Sequence, residues 1–255
     1  MIFSIAFFFI IGSVIGSFLN VVIDRTTRGE TILGRSYCDW CRQKLTALDL
    51  MPIFSFLILR GRCRFCRRKL SRQYPIVEIA TGALFALAYL VLAVGQFSYL
   101  TLAYWLFLIS TLTIVFVVDF KYSLIPTAFI FAASLVSLFF NYFTLNSNLF
   151  VNHVFAAFGA SLFFGAIVVL TRGRGMGTGD IFLAFLIGMV LGVEASVLAI
   201  FLAFFLGAAA AIALIIGGKK RFGQTIPFGP FLILGLLISL FWANQLISWY
   251  LKWYI

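Results

Sequence analysis

The chain reads as an all-α polytopic membrane protein with about eight transmembrane helices and a cytoplasmic tetracysteine zinc-binding loop. Three observations carry this. Apolar residues make up 63% of the 255 residues and charged ones only 11%, and the mean hydropathy is +1.11. A soluble domain of this size cannot hide so much apolar surface, so lipid is part of its solvent. Twelve of the 19 basic residues fall between Arg25 and Arg72. All four cysteines lie in that same stretch.

Met1 to Ile23 carries no charge, and no basic leader or small-residue cleavage site marks it as a secretory signal, so it is expected to be a retained first helix. Further spans are expected near Ile76–Val94, Ser98–Val118, Leu124–Phe140, Leu149–Leu170 and Ile226–Trp249. Between Ile181 and Gly218 only Glu194 interrupts the apolar run, and this stretch fits two short spans turning near Gly192–Glu194. Basic loops stay on the cytoplasmic side, which places the amino terminus outside and Lys121, Arg172, Arg174 and Lys219–Lys220–Arg221 inside. Only Lys252 falls outside, so 18 of 19 basic residues obey the rule and the carboxyl terminus is also outside. The formal charge of +11 therefore marks anionic membrane lipids as neighbours, not nucleic acid. Trp249, Tyr250, Trp253 and Tyr254 read as an interfacial belt.

The cysteines form two Cys-x-x-Cys pairs, Cys38 with Cys41 and Cys63 with Cys66. Four thiolates from two such knuckles suit a tetrahedral Zn²⁺ that holds together a loop too small for its own core. Two disulfides or a redox pair are the alternatives, and a reducing cytoplasm disfavours the first. Arg35, Arg42, Arg62, Arg64, Arg67 and Arg68 crowd the cysteines and are expected to stabilise their thiolates. The segment Met51–Leu59 is too short to span; it packs on the zinc module or dips into the interface.

Asp119 ends the third span, and Asp180 closes the glycine-rich loop Gly173–Gly179 and opens the sixth. Span parity puts both on one membrane face. Carboxylates at lipid depth are costly and default to functional candidates. As a pair they suit aspartic-protease chemistry, one activating water and the other protonating a peptide carbonyl. Singly, either is more often a helix cap or a surface charge than a catalyst. Gly177 and Gly179 are expected to let backbone approach a peptide closely and to take positive φ before the helix. Glu78 either positions a substrate amine or pairs with an arginine such as Arg72, and His153 reads as a packing or interfacial residue. An ion-coupled transporter would place its acids at the midplane and repeat its halves. A membrane-anchored zinc scaffold would leave both aspartates idle.

Several segments together resemble the type IV prepilin peptidases, intramembrane aspartic proteases of the GxGD class. They are Gly16–Val21 with Arg25, Arg35–Cys66 with its four cysteines, Tyr74–Glu78, Asp119 with Ile125–Pro126, Gly177–Asp180 and Ile226–Phe231. The resemblance implies Asp119 and Asp180 as catalytic residues and a bacterial cytoplasmic (inner) membrane location. It implies as substrates the helices of prepilins or pseudopilins, cut after a glycine of the leader on the cytoplasmic side. It also implies, for many members, methylation of the new amino terminus with S-adenosylmethionine. Residues 1–23 would then be the first helix, 24–74 the zinc module and 75–255 a seven-helix protease domain. Thr127, Phe182 and Asp39 depart from the family pattern, where Asp or Asn, Lys and Pro are usual.

Overall fold

The computed structural model describes residues 1–95, 97–173, 175–218 and 226–252. Arg174, Lys219–Lys220–Arg221, Trp253 and Tyr254, which entered the charge count and the aromatic belt, lie outside them. The described chain is helical, with two isolated β-bridges in place of strands. The elements are α1 (Ile2–Arg28), α2 (Phe54–Ile58), α3 (Gln73–Val94), α4 (Tyr99–Tyr122), α5 (Thr127–Thr144), α6 (Ser147–Leu170), α7 (Thr178–Ile216) and α8 (Gly229–Lys252). Seven of these, all but α2, are long and apolar enough to cross a membrane. The chain divides into two compact units, Met1–Ile114 and Val115–Ile255.

In the first unit α1 and α3 pack with their backbones nearly touching. A Cβ added at Gly12 would sit 2.8 Å from the Gly82 Cα, and one at Gly16 would sit 2.8 Å from the Glu78 Cα. Small residues spaced by four are what such a close crossing in lipid needs, because association there depends on packing. α1 continues past Ile23 to Arg28, where Gly29 (φ 68°) ends it in the left-handed region. Arg25 and Arg28 in its last turn favour that extension by meeting the negative end of the helix dipole. Arg25 is buried and its guanidinium donates to the carbonyls of Thr31, Ile32, Gly34 and Arg35, which folds the start of the loop around it.

The second unit is built around α7, which packs on α5, α6 and α8. Straight, its 39 residues would run roughly 58 Å, about twice the hydrocarbon thickness. It is not straight. Gly192 has φ 73° and ψ −179°, and beyond it Ser196 Oγ donates to the Ile187 carbonyl at 3.3 Å. Nine residues apart on a continuous helix, those groups would be about 13 Å apart. The chain therefore folds back at Gly192, and the expected two short spans are the two arms of α7, making eight apolar segments in all. α5 begins at Thr127, later than expected, because Ile125 precedes Pro126 and is pushed out of the helical region.

The break frees backbone groups in an apolar setting, and three polar side chains take them up. Asn141 Nδ2 donates to the Met189 carbonyl at 2.6 Å, and His153 Nδ1 meets the same oxygen at 2.9 Å. The Val193 N–H donates to Asn152 Oδ1 at 2.9 Å. His153 thus has a specific partner. Polar residues inside otherwise apolar spans were the available signal for it.

Candidate active site and metal centre

Asp119 occupies the last turn of α4 and Asp180 the first turn of α7. Each is 4% exposed, and their carboxyls are close enough to interact electrostatically. One oxygen of Asp180, Oδ2, accepts the Gly177 N–H at 3.2 Å, so the helix-cap reading holds for half of the carboxyl. The other, Oδ1, is buried with no hydrogen-bond partner, and so is Asp119 Oδ2. Burying such atoms without partners is costly, and native proteins keep few of them outside sites that use them.

Two backbone features hold this pair. The start of α8 lies against Asp119: the Gly229 backbone faces its carboxyl, and a Cβ at Gly229 would overlap Oδ2. The side chain of Ile125 fills the space between the two helix ends. It lies 2.7 Å from where a Gly179 Cβ would be and 3.4 Å from where a Gly229 Cβ would be. Gly179 is therefore needed for close approach to Ile125. Neither Gly177 (φ −77°) nor Gly179 has positive φ, contrary to the expectation from the loop composition. The reason is that α7 begins at Thr178, so Gly179 is already helical and Gly177 is an ordinary extended cap. Ile125 and Gly229 belong to the quoted motifs, but nothing local in the sequence marks their contact with the aspartates. Phe182 lies one turn inside α7 and is half exposed.

The four cysteines come together as unbonded thiols, with all their Sγ atoms within 4.8 Å of one another. Tetrahedral zinc with Zn–S near 2.3 Å requires S–S separations of about 3.8 Å, and Cys38 and Cys66 stand at 3.9 Å. The loop builds one knuckle twice. The Cys38 N–H donates to the Gln43 carbonyl and the Arg42 N–H to the Cys38 carbonyl; the Cys63 N–H donates to the Arg68 carbonyl and the Arg67 N–H to the Cys63 carbonyl. Arg42 (φ 56°) and Arg67 (φ 58°) take the same left-handed turn, and the bridges Tyr37–Lys44 and Arg62–Lys69 close the two loops. Burial opposes ionisation at Cys63, but the N–H groups of Cys66 and Phe65 outweigh it and lower its pKa to about 7. Burial pushes Cys38 up to about 11. The residues fit a structural metal with no open position.

Several arginines near the cysteines have other partners. Arg42 stacks over Tyr37 and Arg68 over Trp40, while Arg64 pairs with Asp49 at 2.8 Å. Burial of Asp49 works against its charge, but the Thr46 hydroxyl and N–H and the Arg64 guanidinium hold its carboxyl below the ordinary value. Glu78 is 7% exposed and pairs with no arginine among the described residues. It accepts the backbone N–H of Ile53 at 2.7 Å. Ile53 follows Pro52 and sits at φ 63°, a strained conformation for a β-branched residue that this bond helps to hold. The segment Met51–Leu59 contains α2, with Phe56 packed against Gly61 and with Phe54, Leu57 and Ile58 exposed.

Comparison with known proteins completes the assignment. Residues 10–92 match the bacterial peptidase A24 N-terminal domain and residues 106–212 the type IV leader peptidase family. The chain is 32% identical to the prepilin leader peptidase/N-methyltransferase of Bacillus subtilis, over 96% of each chain. It is 33% identical to the protein of that name from Aeromonas hydrophila (98% of this chain, 93% of the other), and 31% identical to that from Burkholderia pseudomallei (94% and 86%). No solved structure matches significantly. The fold and the matched domains define a multi-pass membrane enzyme, an aspartic peptidase. The chain belongs to the type IV leader peptidase family.

Proposed function

We propose that this enzyme removes the leader of type IV prepilins or pseudopilins, cutting after a glycine on the cytoplasmic side, with Asp119 and Asp180 as the catalytic pair. The observation that carries this is the pair itself: two buried, mutually interacting carboxyls, each with an oxygen that has no hydrogen-bond partner. Two such carboxyls share one proton. The ionised one takes a proton from water as it attacks the scissile carbonyl, while the other gives its proton to the carbonyl oxygen. Asp180 keeps its Gly177 hydrogen bond throughout, which fixes its orientation. The relatives' names carry both leader peptidase and N-methyltransferase, and we extend both activities to this chain. S-adenosylmethionine would supply the methyl group for the new amino terminus.

Zn²⁺ held by Cys38, Cys41, Cys63 and Cys66 serves as a cross-link for the loop, within a module spanning residues 24–74 between the first helix and the seven-helix peptidase part. By the positive-inside rule that module and both aspartates face the cytoplasm from the inner membrane, with the chain termini outside and anionic lipids beside the arginines.

The test is cleavage of a prepilin helix by the purified protein in lipid, beside Asp119→Asn and Asp180→Asn. Cleavage by the parent alone is expected. Equal cleavage by either variant would remove that aspartate from the mechanism.

A further inference from the structure

The short helix α2 turns one apolar face away from the protein. Phe54, Leu57 and Ile58 follow a spacing of three and four, so they share one side of the helix. They are 61%, 65% and 78% exposed. Ser55, Phe56 and Leu59 lie on the other side and are half-buried, with the Phe56 ring against Gly61. Leu50 and Met51, just before the helix in sequence, are exposed as well. Leaving so much clustered apolar area in water is unfavourable, so such a face marks a contact surface.

Two observations say what covers it. The first is its level. Glu78 lies in the second turn of α3, past Arg72, the last basic residue of the loop, and accepts the Ile53 N–H at 2.7 Å. Ile76 and Ile79, on either side of it in the chain, are exposed, so the lipid-facing surface of α3 has begun at that level. Ile53 is the N-cap of α2, and five helical residues rise only about 8 Å. The whole of α2 therefore stays within that distance of the point where α3 enters lipid, which is the depth range of interfacial helices. The second is charge. Arg60 and Arg62 follow α2, both are exposed, and neither belongs to an ion pair among the described residues. Basic side chains beside an apolar face at a lipid surface reach for headgroup phosphates.

We propose that Phe54, Leu57 and Ile58 seat in the adjoining lipid leaflet as an interfacial anchor, with Arg60 and Arg62 at the phosphates. The cysteine loop is then fixed to the membrane through its two ends, at α1 and α3, and through this ridge between them. Glu78 sets the depth of the ridge by holding the strained Ile53. That role lies outside proteolysis, so the anchor stands independently of the catalytic assignment.

The experiment places the full, unaltered chain in vesicles of phosphatidylglycerol and phosphatidylethanolamine that contain a phospholipid with a diazirine high on one acyl chain. After irradiation, trypsin releases residues 45–60 as one peptide, cut after Lys44 and Arg60, and its label is compared with that on Ile76 and Ile79. Label centred on Phe54, Leu57 and Ile58, at about one-third of the α3 value or more, is expected for an interfacial segment. Less than that overturns the anchor, and this measurement needs no variant to fold. Phe54→Ser combined with Leu57→Ser should reduce the loop label at least threefold while the α3 label stays as in the parent. An unchanged loop label in that variant would also overturn the anchor. Benzoylphenylalanine in place of Leu57 separates the other occupants. A lipid adduct is expected; a crosslinked pair of chains would make the ridge a contact between copies and overturn the proposal.

Discussion

The Gly229 backbone and the Asp119 carboxyl are in contact with no room for a side chain between them. The entry to α8 thus acts as a backstop for one aspartate, which gives the Ile226–Phe231 motif a physical role. Gly229→Ala should push Asp119 aside while leaving the helices intact. Displacements near 1 Å can cost about 10²-fold in rate, so a loss of that order in kcat, with helix content by circular dichroism unchanged, is the expected result. Full activity in this variant would show that Asp119 does not need the position it holds.

The break in α7 depends on side chains that sit far from it in sequence. Removing Asn152 orphans the Val193 N–H, and removing Asn141 takes one donor from the Met189 carbonyl. An unsatisfied buried group costs about 1–3 kcal/mol. Asn141→Ala should therefore lower the thermal unfolding midpoint more than Asn152→Ala, because the Asn141–Met189 bond is buried whereas the Val193 N–H is exposed; His153, which also meets the Met189 carbonyl, limits the loss. The ordering would be tested by unfolding both variants in the same lipid.

Metal should be what keeps the loop between the knuckles closed. One Zn²⁺ per chain is expected by elemental analysis. A strong chelator should open the segment from Cys38 to Cys66 to trypsin, which finds five basic residues there, from Arg42 to Arg64, only when the loop loosens. Protection that survives complete metal removal would mean the loop holds itself together without the ion.

Asp49 offers a pH test of the same loop. Its pKa is lowered in the folded state, so the stabilisation it brings is fully present above the unfolded value, about 3.9, and is lost as pH falls through the lower folded value. Hydrogen exchange over residues 46–64 should stay slow from neutral pH down to about 4 and then quicken. Asp49→Asn should quicken exchange at neutral pH, with a loss of about 1–3 kcal/mol, and flatten the acid step. A variant as protected as the parent at neutral pH would show that the Arg64 pair contributes nothing there.

The sequence by itself determined the solvent, the spans and the chemistry on offer. Apolar runs fix which segments cross, because each crossing needs its own stretch of about 20 apolar residues. The cysteine spacing specified two like knuckles, because each is closed by bonds among neighbours in the chain. Span parity leads to the expectation that Asp119, at the end of its helix, and Asp180, at the start of its own, share one membrane face. Tertiary structure decided the rest. It set Gly229 and Ile125 against the aspartates and turned the carboxyl of Glu78 to Ile53 instead of an arginine. It assigned Asn141, Asn152 and His153 to the broken helix, and it brought the start of α2 beside the second turn of α3. The reason is range: hydropathy and motif spacing are properties of neighbouring residues, whereas close backbone approach and the partners of freed polar groups exist only once distant segments pack.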